Sequence, residues 1–359
     1  MPRNYYLFTP GQLRRRQNTL YFEPSALPQT EPDDNAGDEY FLETDFEPVV
    51  DKHERVQRKP IPVEDVETFY CFGEMTMNSK FLNFLAQQHI PLHLFNYYGF
   101  YSGSFYPREY LNAGYLTVKQ VEHYLDPEKR LALAQEFVHS AADNILKNLK
   151  YYQGRNKETD AWIDTIEGQL PEIDQISNIP ELMGFEGRIR EQYYQSFNDI
   201  LGGDFEFTKR VRRPPDNMVN ALISFGNSMV YTTVLSEIYR TQLNPTISYL
   251  HEPGARRFSL SLDLAEVFKP LLADRIIFKL LNKNILSEKH FDKKLNYCYL
   301  KEDGRKIFVK EYDDRLKTTI RHRSLKRNVS YRHLIRLECY KLAKHLTGEK
   351  PYKAFRAWW

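Results

Sequence analysis

The hydrophobic period of this chain changes near Val118, and that change limits the folds open to it more than any other feature. Ahead of it, apolar residues gather in short runs: Tyr5–Phe8, Thr19–Phe22, Val66–Phe72 ended by Gly73, Leu92–Tyr98 and Gly103–Tyr106. Such runs, bounded by Gly and Pro and rich in aromatic residues, predict strands. One helix interrupts them at about Ser79–Gln88, with Asn78 or Ser79 as cap and Phe81, Leu82, Phe84 and Leu85 as its buried stripe. After Val118 the spacing becomes helical. Leu131, Ala134, Phe137, Val138, Ala141, Ile145 and Leu149 recur at the intervals of one helix face. Further helices are expected at Ile179–Leu201, Asn217–Glu237, Leu262–Asn284 and Tyr331–Leu346. The chain therefore reads as α+β: a small β-rich domain over residues 1–110, then a larger all-α domain over residues 111–359. With 359 residues it can bury two cores.

Charge is the second constraint. The net value is only +2, but residues 301–359 carry 17 Lys/Arg against 7 Asp/Glu, while residues 31–54 carry ten acids against one Lys. A basic block fits a polyanion partner, and a solvated helix face is the plain alternative. The Pro-, Asp- and Glu-rich stretch over about residues 24–55 reads as a solvated loop. No apolar run is long enough for a membrane span, and Met1-Pro2-Arg3-Asn4-Tyr5 has no apolar signal core. A cytoplasmic location is the expectation. Cys71, Cys298 and Cys339 are far apart with no C-x-x-C pair, which predicts free buried thiols rather than disulfides or a cysteine zinc site.

Phosphate loops of the G-x-x-x-x-G-K-[ST] type, H-E-x-x-H and G-x-S-x-G are absent. Acids and one histidine remain. Glu186 lies between Gly184 and Gly187 in a helical pattern, where each glycine costs roughly 1 kcal/mol relative to Ala. That cost points to close packing or close ligand approach, against the plainer reading of a surface glutamate. His251 precedes the turn Glu252-Pro253-Gly254, and Asp263 and Glu266, three apart on an apolar helix, face one side. Two buried acids need a partner. An imidazole with carboxylates suits Mn²⁺ or Mg²⁺. Lys209, Arg210, Arg212 and Arg213, with Arg256 and Arg257 beside the histidine, could contact phosphates, as could Arg321, Arg323, Lys326, Arg327, Arg332 and Arg336.

Taken together, these segments resemble a known family. Gly184-Phe185-Glu186-Gly187 with Tyr193, Arg212-Arg213-Pro214-Pro215 before Asn220-Ala221-Leu222-Ile223-Ser224-Phe225-Gly226, Tyr249-Leu250-His251-Glu252-Pro253, Phe258 to Pro270, and Asp274-Arg275 are similar to the CRISPR adaptation integrase, the universal first-numbered Cas protein. Lys59-Pro60-Ile61-Pro62, Phe72-Gly73-Glu74-Met75-Thr76, Asn83-Phe84-Leu85-Ala86 and Tyr101-Ser102-Gly103-Ser104-Phe105 extend the likeness through the β-rich half.

The resemblance implies an N-terminal β-sandwich that dimerises, an α-helical catalytic domain, and a homodimer. It also implies an assembly with the small second Cas protein, a ferredoxin-like dimer, that inserts short foreign DNA into the CRISPR array and can also cut DNA. By the same resemblance Glu186, His251 and Glu266 are the metal-binding catalytic residues, with Asp263 as a neighbouring acid and a further possible ligand. Departures are Ile189 and Arg190 where small residues often follow the Glu-Gly, Glu266 where other members carry Asp, and the acidic insertion. A non-catalytic DNA scaffold and a stand-alone repair nuclease are the competing functions.

Overall fold

The computed structural model describes residues 2–25, 59–111, 113–201, 205, 207–212, 214–254, 258–294 and 297–358. The acidic stretch beyond Ser25, together with Arg213, Arg256 and Arg257, lies outside the described residues. The chain divides into two compact units, one comprising the residues up to Tyr97 with Tyr101–Arg108, the other Tyr98–Phe100 with the residues from Glu109 onward.

In the first unit the order is β1 (Arg3–Leu7), β2 (Gly11–Arg16), β3 (Thr19–Pro24), β4 (Lys59–Pro62), β5 (Val66–Cys71), β6 (Met75–Met77), α1 (Ser79–Gln87), β7 (Leu92–Phe95) and β8 (Tyr101–Phe105). Two four-stranded sheets result, in the orders β1-β5-β7-β8 and β4-β3-β2-β6. β5 sits between parallel partners β1 and β7 and is buried along almost its whole length, as expected of a parallel strand covered on both faces. One core draws on both sheets and on α1, through Leu13, Leu20, Phe69, Phe81, Leu85 and Leu92 among others. Asn78 caps α1, its side chain accepting from the Phe81 amide at 3.0 Å. β2 escaped the sequence reading because only Gly11 and Leu13 face the core, the rest being Gln12 and three arginines. Arg15 lies over the Phe84 ring instead, 3.8 Å from its centroid.

The second unit contains α2 (Gly114–Leu125), α3 (Pro127–Gln153), α4 (Asp160–Gln169), α5 (Ile179–Gln195), α6 (Phe197–Ile200), α7 (Met218–Tyr239), α8 (Ser259–Phe268), α9 (Arg275–Asn282), β9 (Phe291–Lys294), β10 (Tyr297–Leu300), α10 (Glu302–Lys317), β11 (Thr319–Arg321), β12 (Asn328–Ser330) and α11 (Tyr331–Leu346). α7 is buried all round and packs against α8 and α11. Gly226 lets it approach: a Cβ there would stand 3.0 Å from both the Ala273 Cβ and the Phe308 ring. Instead of one helix over Leu262–Asn284, Pro270 interrupts the pattern, and a π-helical turn over Pro270–Asp274 joins α8 to α9. From α3, the buried Asn144 donates to the Val267 carbonyl (2.9 Å), and Asn148 to the Pro270 carbonyl (2.7 Å) and the Tyr193 hydroxyl (2.9 Å). These bonds hold the end of α8 where its helical bonding stops.

The unit is mostly helical, but two antiparallel hairpins, β9–β10 and β11–β12, correct the all-α expectation. Each of their strands has three or four residues, too few to show a period of two. Cys71, Cys298 and Cys339 are free and buried, as expected. Among the described residues, no helix is long and apolar enough to cross a membrane.

Candidate functional site

Three pieces of the helical unit form the site. α5 begins at Asn178, whose side chain accepts from the Glu181 amide at 2.9 Å, and it buries Leu182, Phe185, Ile189 and Tyr193. Glu186 and Arg190 follow one another on an adjacent edge, four residues apart. α8 is buried on almost every side and carries Asp263 and Glu266. Between α7 and α8 runs the segment Tyr249-Leu250-His251.

Asp263 organises that segment. Its Oδ2 accepts from the Tyr249 amide (2.7 Å) and the Leu250 amide (3.0 Å), and its Oδ1 from the His251 amide (3.0 Å) and the His251 Nδ1 (2.8 Å). Four donors occupy its two oxygens, and the residue is wholly buried. Asp263 therefore faces the histidine and its backbone, not an open ligand position. Nor does it cap α8, which starts four residues earlier at Ser259. With Nδ1–H given to the carboxylate, the lone pair of Nε2 is left for another group. Burial acts to lower the His251 pKa, but the Asp263 bond and charge, helped by Glu266, raise it on balance.

Glu266 meets two cations. Arg190 bridges the helices, its Nη2 donating to Glu266 Oε2 and its Nε to Glu186 Oε1 at 3.3 Å. Lys269, one turn beyond Glu266, donates to Oε1. Burial would push the Glu266 carboxyl up, yet Lys269, Arg190 and His251 outweigh it and hold the group well below the usual carboxylate range. Arg190 is itself buried, and among the described residues its Nη1 has no hydrogen-bond partner. Within its electrostatic reach lies Asp274, on the π-helical turn and 1% exposed, with neither carboxylate oxygen in a hydrogen bond of good geometry among the described residues. Burial pushes its pKa up to about 7, against the pull of Arg190 and the nearby Tyr193 hydroxyl.

The sign of the resulting pH effect is fixed. An unfolded aspartate ionises near about 3.9, so between that value and about 7 the folded state holds a proton that the unfolded state has lost. Stability falls as pH rises through that window, by at most about 1.4 kcal/mol per unit. Asp274→Asn removes the effect. The melting temperature of the variant relative to wild type should rise from pH 4 to pH 7.5 and level off above it; a difference independent of pH refutes this reading.

Glu186, His251 and Glu266 stand out in the sequence, where Arg190 is only a departure after the Glu-Gly and Lys269 carries no role, yet both cations contact these acids. Arg190 stands at i+4 from Glu186 and Lys269 at i+3 from Glu266, spacings that place each cation on its acid's helix face. Close packing does not explain the glycines around Glu186, since a Cβ at Gly184 or Gly187 would meet nothing within 4 Å. Two carboxylates and an imidazole with a free Nε2 are a donor set that fits Mg²⁺ or Mn²⁺. Among the described residues, no three His, Cys, Asp or Glu side chains are gathered closely enough to share one ion. The positive charge between Glu186 and Glu266 is the Arg190 guanidinium.

The basic candidates divide. Lys209 and Arg212 are exposed. Arg210 is turned inward, its Nη1 donating to Asn220 Oδ1 (3.0 Å) and its Nη2 to Ser224 Oγ (2.9 Å), so it ties the segment that enters α7 to that helix. Arg336 donates to the buried Glu237 at 2.7 Å and Arg332 lies 3.9 Å from the same carboxylate. Arg321, Arg323, Lys326 and Arg327 are exposed on the β11–β12 hairpin.

Comparison with known proteins agrees with this architecture. The family model described as CRISPR associated protein Cas1 matches residues 36–314. CRISPR-associated endonuclease Cas1 3 of Thermodesulfovibrio yellowstonii is 52% identical over 99% of this chain and 100% of its own length. Among solved structures, TM1797, a Cas1 protein from Thermotoga maritima, superimposes with a TM-score of 0.81 at 41% identity, covering 99% of both chains. A casposase bound to integration product (TM-score 0.80, 19% identity, 98% of this chain and 92% of that one) and a Cas6-RT-Cas1–Cas2 complex (0.78, 17%, 99% and 36%) share the fold. A match running from the β-rich unit into the helical one, joined to identity above one half along the whole length of a curated relative, is decisive: the chain belongs to the Cas1 family of CRISPR-associated proteins.

Proposed function

We propose that this chain is a divalent-metal-dependent DNA integrase of CRISPR adaptation that also cuts DNA, with Glu186, His251 and Glu266 as its metal-binding residues. The observation that carries the reading is the Asp263–His251 bond, which leaves Nε2 as a ligand within electrostatic reach of Glu266. Membership of a family of endonucleases, and a fold shared with a casposase bound to integration product, support it.

In joining, the 3′-hydroxyl of the incoming DNA attacks a phosphodiester of the array. A new P–O bond forms, and the 3′-oxygen of the cut strand leaves and takes a proton. Bound Mg²⁺ or Mn²⁺ would supply Lewis-acid chemistry there, polarising the phosphate and favouring the alkoxide. The protein's part is to concentrate negative charge at Glu186 and Glu266 and to fix the imidazole in one tautomer through Asp263. Lys209 and Arg212 offer phosphate contacts that position DNA without reading its sequence. Water in place of the hydroxyl gives hydrolysis. The partners of this reading are a second copy of the chain, the small second Cas protein as a ferredoxin-like dimer, and double-stranded DNA; a Cas1–Cas2 assembly among the structures of the same fold supports the second.

The test incubates the protein, its small partner and a duplex with 3′-hydroxyl ends with a supercoiled array plasmid, with and without Mn²⁺. Covalent joining that depends on Mn²⁺ is the expected result. Nicking without joining identifies a stand-alone nuclease, and neither activity identifies a scaffold. DNA affinity should also fall steeply with salt, and the double variant Lys209→Ala/Arg212→Ala should flatten the log–log slope by roughly 0.9 for each phosphate left without its cation. An unchanged slope removes both residues from the interface.

A further inference from the structure

Arg190 occupies a position that two functions claim. Its guanidinium is buried and spans Glu186 on α5 and Glu266 on α8. Those are the carboxylates assigned above to a divalent cation; Arg190 holds one oxygen of each and Lys269 the other oxygen of Glu266, so a bound cation competes with the guanidinium for them. The bridge is also incomplete: among the described residues Nη1 has no hydrogen-bond partner in a buried setting, where an unmet donor costs free energy. Beside it, the two oxygens of Asp274 lack hydrogen bonds of good geometry although the residue is 1% exposed. An unmet buried donor and a buried carboxylate with only the Tyr193 hydroxyl close by among the described residues stand within electrostatic range of each other.

We propose that Arg190 is a displaceable counter-ion, bridging Glu186 and Glu266 while no divalent cation is bound and turning to Asp274 when a cation takes those carboxylates. The inference rests on the metal-site reading above. It gives the buried glutamates a neutralised resting state, so that α5 and α8 stay together without metal. Its cost is weaker apparent metal affinity, because only the fraction of molecules with Arg190 displaced is competent to bind. Asp274 lowers that cost by receiving the arginine.

Mn²⁺ titrated into the full-length protein by calorimetry, beside melting curves in chelator and in Mn²⁺, tests this without any activity assay. Arg190→Met should melt lower than wild type in chelator, bind Mn²⁺ about tenfold or more tightly, and gain more from Mn²⁺ in melting temperature. Asp274→Asn should bind Mn²⁺ about tenfold more weakly, its Arg190 having lost its alternative partner. Arg190→Lys keeps the charge but not the reach to both glutamates, and should fall between wild type and the methionine variant; it substitutes for Arg190→Met if that protein does not fold. Mn²⁺ affinity equal to wild type or weaker in the folded Arg190 variants overturns the proposal, and so does unchanged affinity in Asp274→Asn. Glu186→Gln separates the two readings. If it binds Mn²⁺ as wild type does, the metal site itself is wrong and the counter-ion falls with it. If it loses binding while the Arg190 variants behave as wild type, the counter-ion alone is wrong.

Discussion

Glu186→Gln, His251→Ala and Glu266→Gln should each lower Mn²⁺-dependent joining and nicking by about 10²–10³-fold or more, the scale on which loss of transition-state charge stabilisation is felt. Duplex affinity and its salt slope should stay close to wild type in the two glutamate variants, because neither of those side chains is a cation able to meet a phosphate. The variants differ in stability, and the difference is informative. Glu186 is partly exposed and makes one long ion pair with Arg190, so its removal costs little. Glu266 is buried with Arg190 and Lys269 upon it, and neutralising it strands two cations. Removing one partner from such a group costs about 3–5 kcal/mol, so Glu266→Gln should also melt lower while Glu186→Gln should not. Joining assays and melting curves on the same preparations check both claims. Wild-type rates in all three variants at matched Mn²⁺ would sink the assignment.

How much of this was legible in the sequence depended on the length over which each signal repeats. α3 was readable because its buried stripe runs for 27 residues, and α7 because Asn217 caps a helix of 22. β2 and the two hairpins of the helical unit were not, since a strand with one or two core residues has no period to detect. Pro270 was visible, but apolar residues on both sides made the helix look continuous; only the bonds from Asn148 and the π-helical turn show how the chain continues past it.

The site shows the same limit in another form. Glu186, His251 and Glu266 stood out by residue type and resemblance. What the sequence could not say is which charges lie between them. That depends on two helices separated by more than sixty residues meeting edge to edge, and on Arg190 reaching across from one to the other. The basic run made the opposite error possible. Lys209, Arg210 and Arg212 are alike as letters, yet burial against Asn220 and Ser224 makes Arg210 a structural tie and leaves its neighbours exposed.

Asp263 shows what geometry adds, and it carries the second large effect. From sequence, Asp263 is an acid beside the metal-binding set and a further possible ligand. In the structure it caps no helix: three successive amides and the His251 Nδ1 converge on it, so the carboxylate ties down the Tyr249–His251 segment and positions the imidazole at once. Asp263→Asn presents one acceptor oxygen and an NH₂ group to four donors, so at least one donor pair loses its acceptor. Breaking a buried, charge-assisted network of this kind costs about 3–5 kcal/mol. At roughly 2–4 °C per kcal/mol in a domain of this size, the melting temperature should fall by about 6–20 °C. Apparent Mn²⁺ affinity should fall roughly 10–100-fold in the same variant, because the imidazole loses the bond that fixes its tautomer and direction. Excess Mn²⁺ below the new melting temperature should then restore joining, the ligands themselves being intact. His251→Ala provides the control: it abolishes joining at any Mn²⁺ concentration, yet it leaves the three amides on Asp263 and should melt closer to wild type. A variant that loses stability with Mn²⁺ dependence unchanged would reduce Asp263 to a tie for the Tyr249–His251 segment, and one that loses Mn²⁺ affinity at unchanged melting temperature would mean that the amide bonds contribute nothing.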